Sequence, residues 1–337
     1  MTDSLEIRPL DLLDESQAEH ASAWVEVHAA VQRELFGDGG SEWTLDELRA
    51  MHRKTDKKRV ALAAWSGGHL VGALSIMLPM LDNHSLAMFF PAVLAEHRRR
   101  GVGSRLVETA EGIAREHGRS TFLAETEWPE GGVDLGAEFA RRHGYVVAQE
   151  VLRSEMHLPA PREGLQRVVA EEGAEDYVVE CFVDDLPEAW LEDRAHLQRR
   201  MSTDAPLDDV EWQEEVWDAG RMRAAHASAR STGRRVVEAV ARHVPSGRLV
   251  GFTRVEVSPA RLDLGYQQDT LVLREHRGHG LGLRLKAAAA LLLMDALPEV
   301  RAVRTWNAAS NRHMLAVNRA LGYRVDGYSR EWQKHLD

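Results

Sequence analysis

The sequence predicts a duplicated mixed α/β fold, and three observations predict it. Strand-like and helix-like patterns alternate along the 337 residues, a strand, Gly-rich turn and helix stand at the centre of that alternation, and the centre occurs twice. Residues 272–285, VLREHRGHGLGLRL, follow the polar, β-branched run QQDTLV and lead into the apolar block AAAALLLM. Residues 93–106, VLAEHRRRGVGSRL, repeat nine of those fourteen positions 179 residues earlier. The register holds upstream, where Gly68, Leu70, Val71 and Gly72 match Gly247, Leu249, Val250 and Gly251. Downstream it slips by one residue, where Arg141, Gly144 and Tyr145 match Arg319, Gly322 and Tyr323. Solenoid units repeat every ~20–50 residues, so this longer spacing marks a duplicated domain.

Taken in order, residues 5–10 read as a first strand and 15–35 as a helix, closed by the break GDGGS. The segment TLDELRAMH opens with Thr44 and places Glu47 three residues on, a capping box. Strands over 60–65 and 70–78 turn at Gly67 and Gly68, and a strand over 86–93 meets the first Gly-rich turn. A helix over 103–117 stops at Gly118, a strand follows over 121–125, a helix over 135–143 stops at Gly144, and a strand over 146–158 closes the first half. Pro159 and Pro161 mark a linker, which gives two domains, 1–160 and 161–337. The second half reads as strand 177–183, helix 187–201, an acidic Trp-rich insert, helix 216–232, and strands 235–244 and 249–257. After its Gly-rich turn come strand 300–305, helix 311–321 and strand 328–333.

Composition narrows the classes. Hydrophobic residues at 44% and charged residues at 28% are those of an ordinary soluble chain, and the length suits two domains that each bury a core. A net charge of −11 argues against a nucleic-acid partner, and no apolar run approaches the ~20 residues of a membrane span. One cysteine, Cys181, and an acidic N-terminal stretch lead to the expectation of a cytoplasmic protein without disulfides. Cys181 lies in the β-like run YVVECFV and reads as a buried inert thiol. No HxxxH or CxxC spacing suggests a metal.

The Gly-rich turn carries the chemistry. Arg277, Gly280 and Gly282 form an RxxGxG pattern at a helix start, where unpaired N–H groups meet the positive end of the helix dipole and glycine removes the Cβ that would block a ligand. That is a pyrophosphate cradle, and Arg98, Gly101 and Gly103 repeat it. Together with Gly144-Tyr145 and Gly322-Tyr323 at helix ends, these motifs resemble the GNAT superfamily of acetyl-CoA-dependent acyltransferases. The chain is most similar to its tandem two-domain actinobacterial type, which includes mycothiol synthase and antibiotic-cluster proteins. The resemblance implies two tandem GNAT folds, each a mixed, mostly antiparallel, splayed sheet flanked by helices.

It also implies a set of acetyl-CoA-binding residues. In the second half these are the strand amides of Leu271, Val272 and Leu273, and the turn residues Arg277, Gly278, His279, Gly280, Leu281, Gly282 and Leu283. In the first half they are Ala92, Val93 and Leu94, then Arg98, Arg99, Arg100, Gly101, Val102, Gly103 and Ser104. Asn311 opens the helix that touches the pantetheine arm in the family. Asn318 stands where many members place a tyrosine acid, as does Ala140 in the first half.

Transfer of an acetyl group to an amine also needs a base. Asp269, three residues before Val272, and Glu256 on the neighbouring strand are the candidates, and Phe90 and Met77 stand at the matching positions of the first half. The second half is therefore expected to catalyse, and the first to bind acetyl-CoA or serve as a degenerate copy. Trp190, Trp212 and Trp217 with Asp204, Asp208 and Asp209 form either an acceptor pocket for a cationic amine or ordinary core. The expected activity is N-acetylation of a small-molecule primary amine, with an antibiotic-pathway intermediate as one acceptor class; a non-catalytic acyl-CoA-binding scaffold or sensor is the alternative. The sequence leaves the oligomeric state open.

Overall fold

The computed structural model describes residues 5–41 and 43–336. The chain forms two compact units, one of residues 1–150, 209–211 and 328–337, the other of residues 151–208 and 212–327.

In the first unit β1 (Glu6–Leu10), β2 (Lys57–Ser66), β3 (His69–Pro79) and β4 (Leu86–Val93) run antiparallel in that order. β5 (Thr121–Pro129) then lies parallel to β4, and β12 (Arg324–His335) lies beyond it. Helix α1 (Ala18–Phe36) buries Ala21, Trp24 and Val27 on one face of this sheet, and the Trp24 indole donates to the Leu62 carbonyl at 2.8 Å. Thr44 caps α2 (Leu45–His52) through the expected box, with Glu47 Oε2 accepting from Thr44 N at 3.0 Å. On the other face α3 (Val102–Glu116) and α4 (Ala137–Arg142) cover Leu74, Ile76, Phe89 and Phe122.

The second unit repeats the plan with the order β6-β11-β10-β9-β8-β7, built from β6 (Val146–His157), β7 (Tyr177–Val183), β8 (Arg235–His243), β9 (Leu249–Val257), β10 (Leu264–Val272) and β11 (Ala302–Ala308). Only β10 and β11 are parallel here, as β4 and β5 are in the first unit. Helices α6 (Leu191–Asp204) and α7 (Ala219–Ser231) pack together on one side. On the other lie α8 (Leu281–Ala296) and α9 (Arg312–Ala320), with α5 (Arg162–Ala170) packed on α8. The alanine block of α8 is buried at Ala287, Ala288, Ala289 and Ala290, because small side chains let the helix approach its neighbours closely.

Two features depart from the sequence reading. The segment after Pro161, expected as linker, is α5; proline fits ahead of a first turn, where no intrahelical N–H is needed. The compact units also exchange their closing strands relative to the halves 1–160 and 161–337. Residues 151–157 of β6 pair with β11 from Ala302↔His157 to Ala308↔Val151, and residues 328–337 belong to the first unit. Trp332 anchors the latter, wholly buried among Phe122, Ala137 and Tyr145, with its indole donating to Thr126 on β5 at 2.8 Å. Duplicated halves end in strands of like pattern, so each can complete the sheet of the other.

Candidate functional site

Each unit opens at its parallel strand pair. β4 and β5 are paired from Leu86↔Thr121 to Phe89↔Ala124, and β10 and β11 from Leu264↔Ala302 to Tyr266↔Arg304; beyond those points the strands part. The Gly-rich turn and the N-terminus of α8 (or α3) follow the free end of the parted strand.

The turn is locked the same way in both units. Arg277 Nε donates to the Val272 carbonyl at 3.0 Å, and Arg98 Nε to the Val93 carbonyl at 2.9 Å. Their outer nitrogens meet carboxylates: both Arg98 nitrogens reach Glu34, at 2.8 and 2.5 Å, and Arg277 reaches Asp204 at 3.5 Å. The buried Asp204 carboxylate also takes Arg200 at 2.5 Å and Arg274 at 3.4 Å, which ties the turn to the end of α6. These arginines thus shape the turn from within the protein.

The turn amides are free to serve a ligand. Gly278 and Gly280 sit at φ +91° and +68°, as does Gly101 at +84°, a region where glycine alone is unstrained. Among the described residues, the N–H groups of Gly278, His279, Gly280, Leu281 and Gly282 have no acceptor, while Leu283 and Arg284 donate to the Gly280 carbonyl at 3.1 Å. The N–H groups of Arg99, Arg100, Gly101, Val102, Gly103 and Ser104 are free in the same way. Of the expected strand amides, Leu273 and Leu94 donate to Val250 and Val71 in the sheet. Strand alternation therefore turns the N–H of Val272 and of Val93 toward the opening, and those of Leu271 and Ala92 away from it.

The two cradles differ in the space above them. A Cβ added at Gly282 would meet nothing within 4 Å, whereas one at Gly103 would come within 3.2 Å of the Phe139 ring. A row of free amides at a helix N-terminus with open space above it fits a diphosphate such as that of coenzyme A. Beside it, Tyr177 hydrogen-bonds His276 Nδ1 at 3.0 Å, and His243 and His279 flank them. Burial, then the neighbouring His243, holds His276 below its ordinary range.

β10 carries one extra residue between Gln267 and Thr270, a bulge against β9. Asp269 is in it, half-buried, and its Oδ2 accepts from Gln198 Nε2 of α6 at 2.7 Å. β4 runs through the matching stretch in unbroken register, with Phe90 exposed. From Gln198 a polar chain continues through Arg194 at 3.0 Å and its ion pair with Glu238, then Arg254 at 3.5 Å, to Glu256 at 2.9 Å. Glu256 also faces Arg234 at 3.5 Å. Two guanidinium groups make Glu256 an ion-pair partner, while Asp269 has one neutral donor and the freer oxygen.

Of the other expected residues, Asn311 caps α9, its Oδ1 accepting from Met314 N at 3.1 Å. Asn318 is buried, accepts from Lys286 Nζ at 2.5 Å and donates to Asn307 Oδ1 at 2.6 Å. Tyr323 is packed with the Lys286 ammonium 4.7 Å from its ring centre. Of the tryptophans, Trp190 stands edge-on to Phe182 and Trp217 lies under Arg221, both packed against the core of the second unit. Cys181 is half-buried, and burial pushes its thiol up to about 11.

Two sets of residues escaped the sequence reading. Lys286 hides inside an apolar helix. Glu125 and Glu127 of β5 stand near Glu331 of β12 in the first unit; burial and its two acidic neighbours hold Glu125 well above the carboxylate range, and burial with Glu127 lifts Glu331 to about 7. The i, i+2 spacing of Glu125 and Glu127 was a signal for one strand face, but Glu331 is brought in from the far end of the chain. Among the described residues no group of three or more His, Cys, Asp or Glu side chains is arranged to hold a metal, and no helix is long and apolar enough to cross a membrane.

Residues 24–131 match the model of the acetyltransferase (GNAT) family. The chain is similar to a tandem GNAT protein from the clavulanic acid biosynthesis pathway, solved without acetyl-CoA, at 26% identity over 98% of both chains with a TM-score of 0.78. A GCN5-related N-acetyltransferase from Sphaerobacter thermophilus shares the fold at 17% identity over 98% of this chain and 95% of that one, with a TM-score of 0.68. Another from Kribbella flavida does so at 15% identity over 100% and 72%, with a TM-score of 0.52. No curated protein matches the chain. The parted strands, the amide-lined turn and these likenesses agree: the chain carries a GNAT-family acetyltransferase domain and has the fold of a tandem GNAT protein.

Proposed function

We propose that the protein is an acetyl-CoA-dependent N-acetyltransferase whose second unit acts on the primary amine of a small molecule, by direct transfer with donor and acceptor bound together. One observation carries the choice of unit: among the described residues, only there does an open amide-lined turn stand beside a bulged strand with a carboxylate, Asp269.

Acetyl-CoA would supply the acetyl group as a thioester. The free amides of Gly278, His279, Gly280, Leu281 and Gly282 would hold its diphosphate, and the Val272 amide its arm or carbonyl. Asp269, fixed by Gln198, takes the proton that the acceptor ammonium must lose before it attacks. The N–C bond forms as the C–S bond breaks, and the sulfur leaves as thiolate and is protonated. The pathway of the clavulanic acid relative supports a biosynthetic intermediate as acceptor. The first unit, with Phe139 against Gly103 and no bulge in β4, serves as a coenzyme-binding or structural copy.

Calorimetric titration of acetyl-CoA into the protein and its Gly103→Val and Gly282→Val variants tests the donor site. A site lost only in Gly282→Val, with thiol release on adding amines, supports the proposal; a site lost only in Gly103→Val moves catalysis to the first unit, and no binding removes the donor. Binding without turnover is the second reading, favoured by Asn318, whose amide is committed at both ends and has no proton to give. Absence of thiol release across an amine panel would establish it.

A further inference from the structure

We propose that Lys286, Asn318 and Asn307 form a polarised hydrogen-bond chain that stabilises negative charge in the opening between β10 and β11. This rests on the acyl-transfer reading of the second unit, where such charge develops on the departing sulfur.

Lys286 is the anomaly that leads to it. Its side chain is buried at 3% exposure on α8, and among the described residues no carboxylate faces it. The buried arginines of this unit are treated differently: Arg194 faces Glu238, Arg304 faces Glu155 and Arg153 faces Asp326. Burying an ammonium without a counter-ion forfeits its hydration with no Coulomb gain in return. The fold does not need it there, because the matching position of α3 is Val107, and Ala140 matches Asn318.

The geometry gives the ammonium a direction. An ammonium only donates, so Lys286 Nζ, 2.5 Å away, fixes the oxygen of Asn318 toward itself. The Asn318 Nδ2 group must then face Asn307 Oδ1, at 2.6 Å, which leaves the Asn307 Nδ2 donors at the end of the chain. Asn307 is half-buried on β11, three residues past the last β10–β11 pair, where the strands have parted. The two amide dipoles thus line up head to tail from the buried ammonium to Asn307, on the stretch of β11 where it has parted from β10.

Burial is the sole cause that pulls the Lys286 ammonium down to about 7, with no charge from α5, α9 or strands β7–β10 contributing. Its titratable neighbour is Tyr323, whose phenol burial pushes up and keeps neutral. The ammonium is close to its own titration near neutrality, so an added anion in the opening holds the proton on it.

Free coenzyme A tests the chain, with its thiol titrated by the ultraviolet absorbance of the thiolate while bound to the protein, to Lys286→Met and to Asn307→Ala. The bound thiol is expected to ionise about one pH unit lower on the wild type than on either variant, a roughly ten-fold tighter hold on thiolate, with affinity for the thiol form within about two-fold. Equal ionisation on all three, with coenzyme bound, overturns the inference alone. Failure of the wild type to bind coenzyme A overturns the acyl-transfer reading and the inference with it. Asn307→Ala, at a half-exposed site, keeps the test open should Lys286→Met misfold.

Discussion

Gln198 reaches from α6 to Asp269 in the bulge of β10, a 2.7 Å bond that sets which carboxylate oxygen stays available. The bulge supplies the aim and the glutamine the orientation. Asp269→Asn is expected to lower turnover about 100-fold while coenzyme affinity holds. Gln198→Ala should cost less, since the carboxylate remains. Steady-state thiol release with titrated coenzyme affinity checks both, and unaltered turnover across pH would remove Asp269 from the mechanism.

The paired glycines respond differently to one substitution. Gly282→Val places its side chain in open space, so its unfolding midpoint should stay near that of the wild type while coenzyme binding in the second unit is lost. Gly103→Val drives a branched side chain against Phe139, now 3.2 Å from the added Cβ, and should destabilise the first unit by about 1–3 kcal/mol. Thermal unfolding alongside calorimetry separates the effects.

Glu331 makes the first unit sensitive to alkali. Burial and the Glu127 charge raise its folded pKa to about 7, above the ordinary glutamate value of 4.5. The folded state therefore binds the proton that the unfolded state has released. Stability is highest below 4.5, declines as pH rises between the two values, and is lowest above about 7. Glu331→Gln should flatten that slope and add about 1–3 kcal/mol above neutrality, read from urea midpoints at pH about 5 and about 8.

Trp332 fills the first unit from the end of the chain. Trp332→Ala removes a wholly buried indole and its bond to Thr126, for a loss of about 3–5 kcal/mol. The same loss should expose the first unit, more than the second, to hydrogen exchange.

The repeat makes the architecture legible in the sequence itself. Strands β4, β7 and β9 lie where the alternation puts them, and the Thr44 capping box and the glycine stops follow from local backbone chemistry that any short window contains. What the sequence hid is long-range. Pairing of β6 with β11 depends on which of two similar closing strands meets which sheet, and no local pattern distinguishes them. The Lys286 chain joins residues 32 and 11 apart, and the glutamate group joins Glu127 to Glu331. Asp269 was visible as a carboxylate, but its bulge became visible only through the partner strand.

The place of residues 328–337 in the first unit bears on how the molecule is made. A ribosome delivers β1 to β5 early, yet the strand that covers β5 and carries Trp332 emerges only after all the strands of the second unit. Until it emerges the earlier half waits with an unpaired edge and an unfilled indole slot. Synthesis from the N-terminus therefore does not complete the units in the order in which they begin, and a gene cut near residue 160 would release neither of them whole.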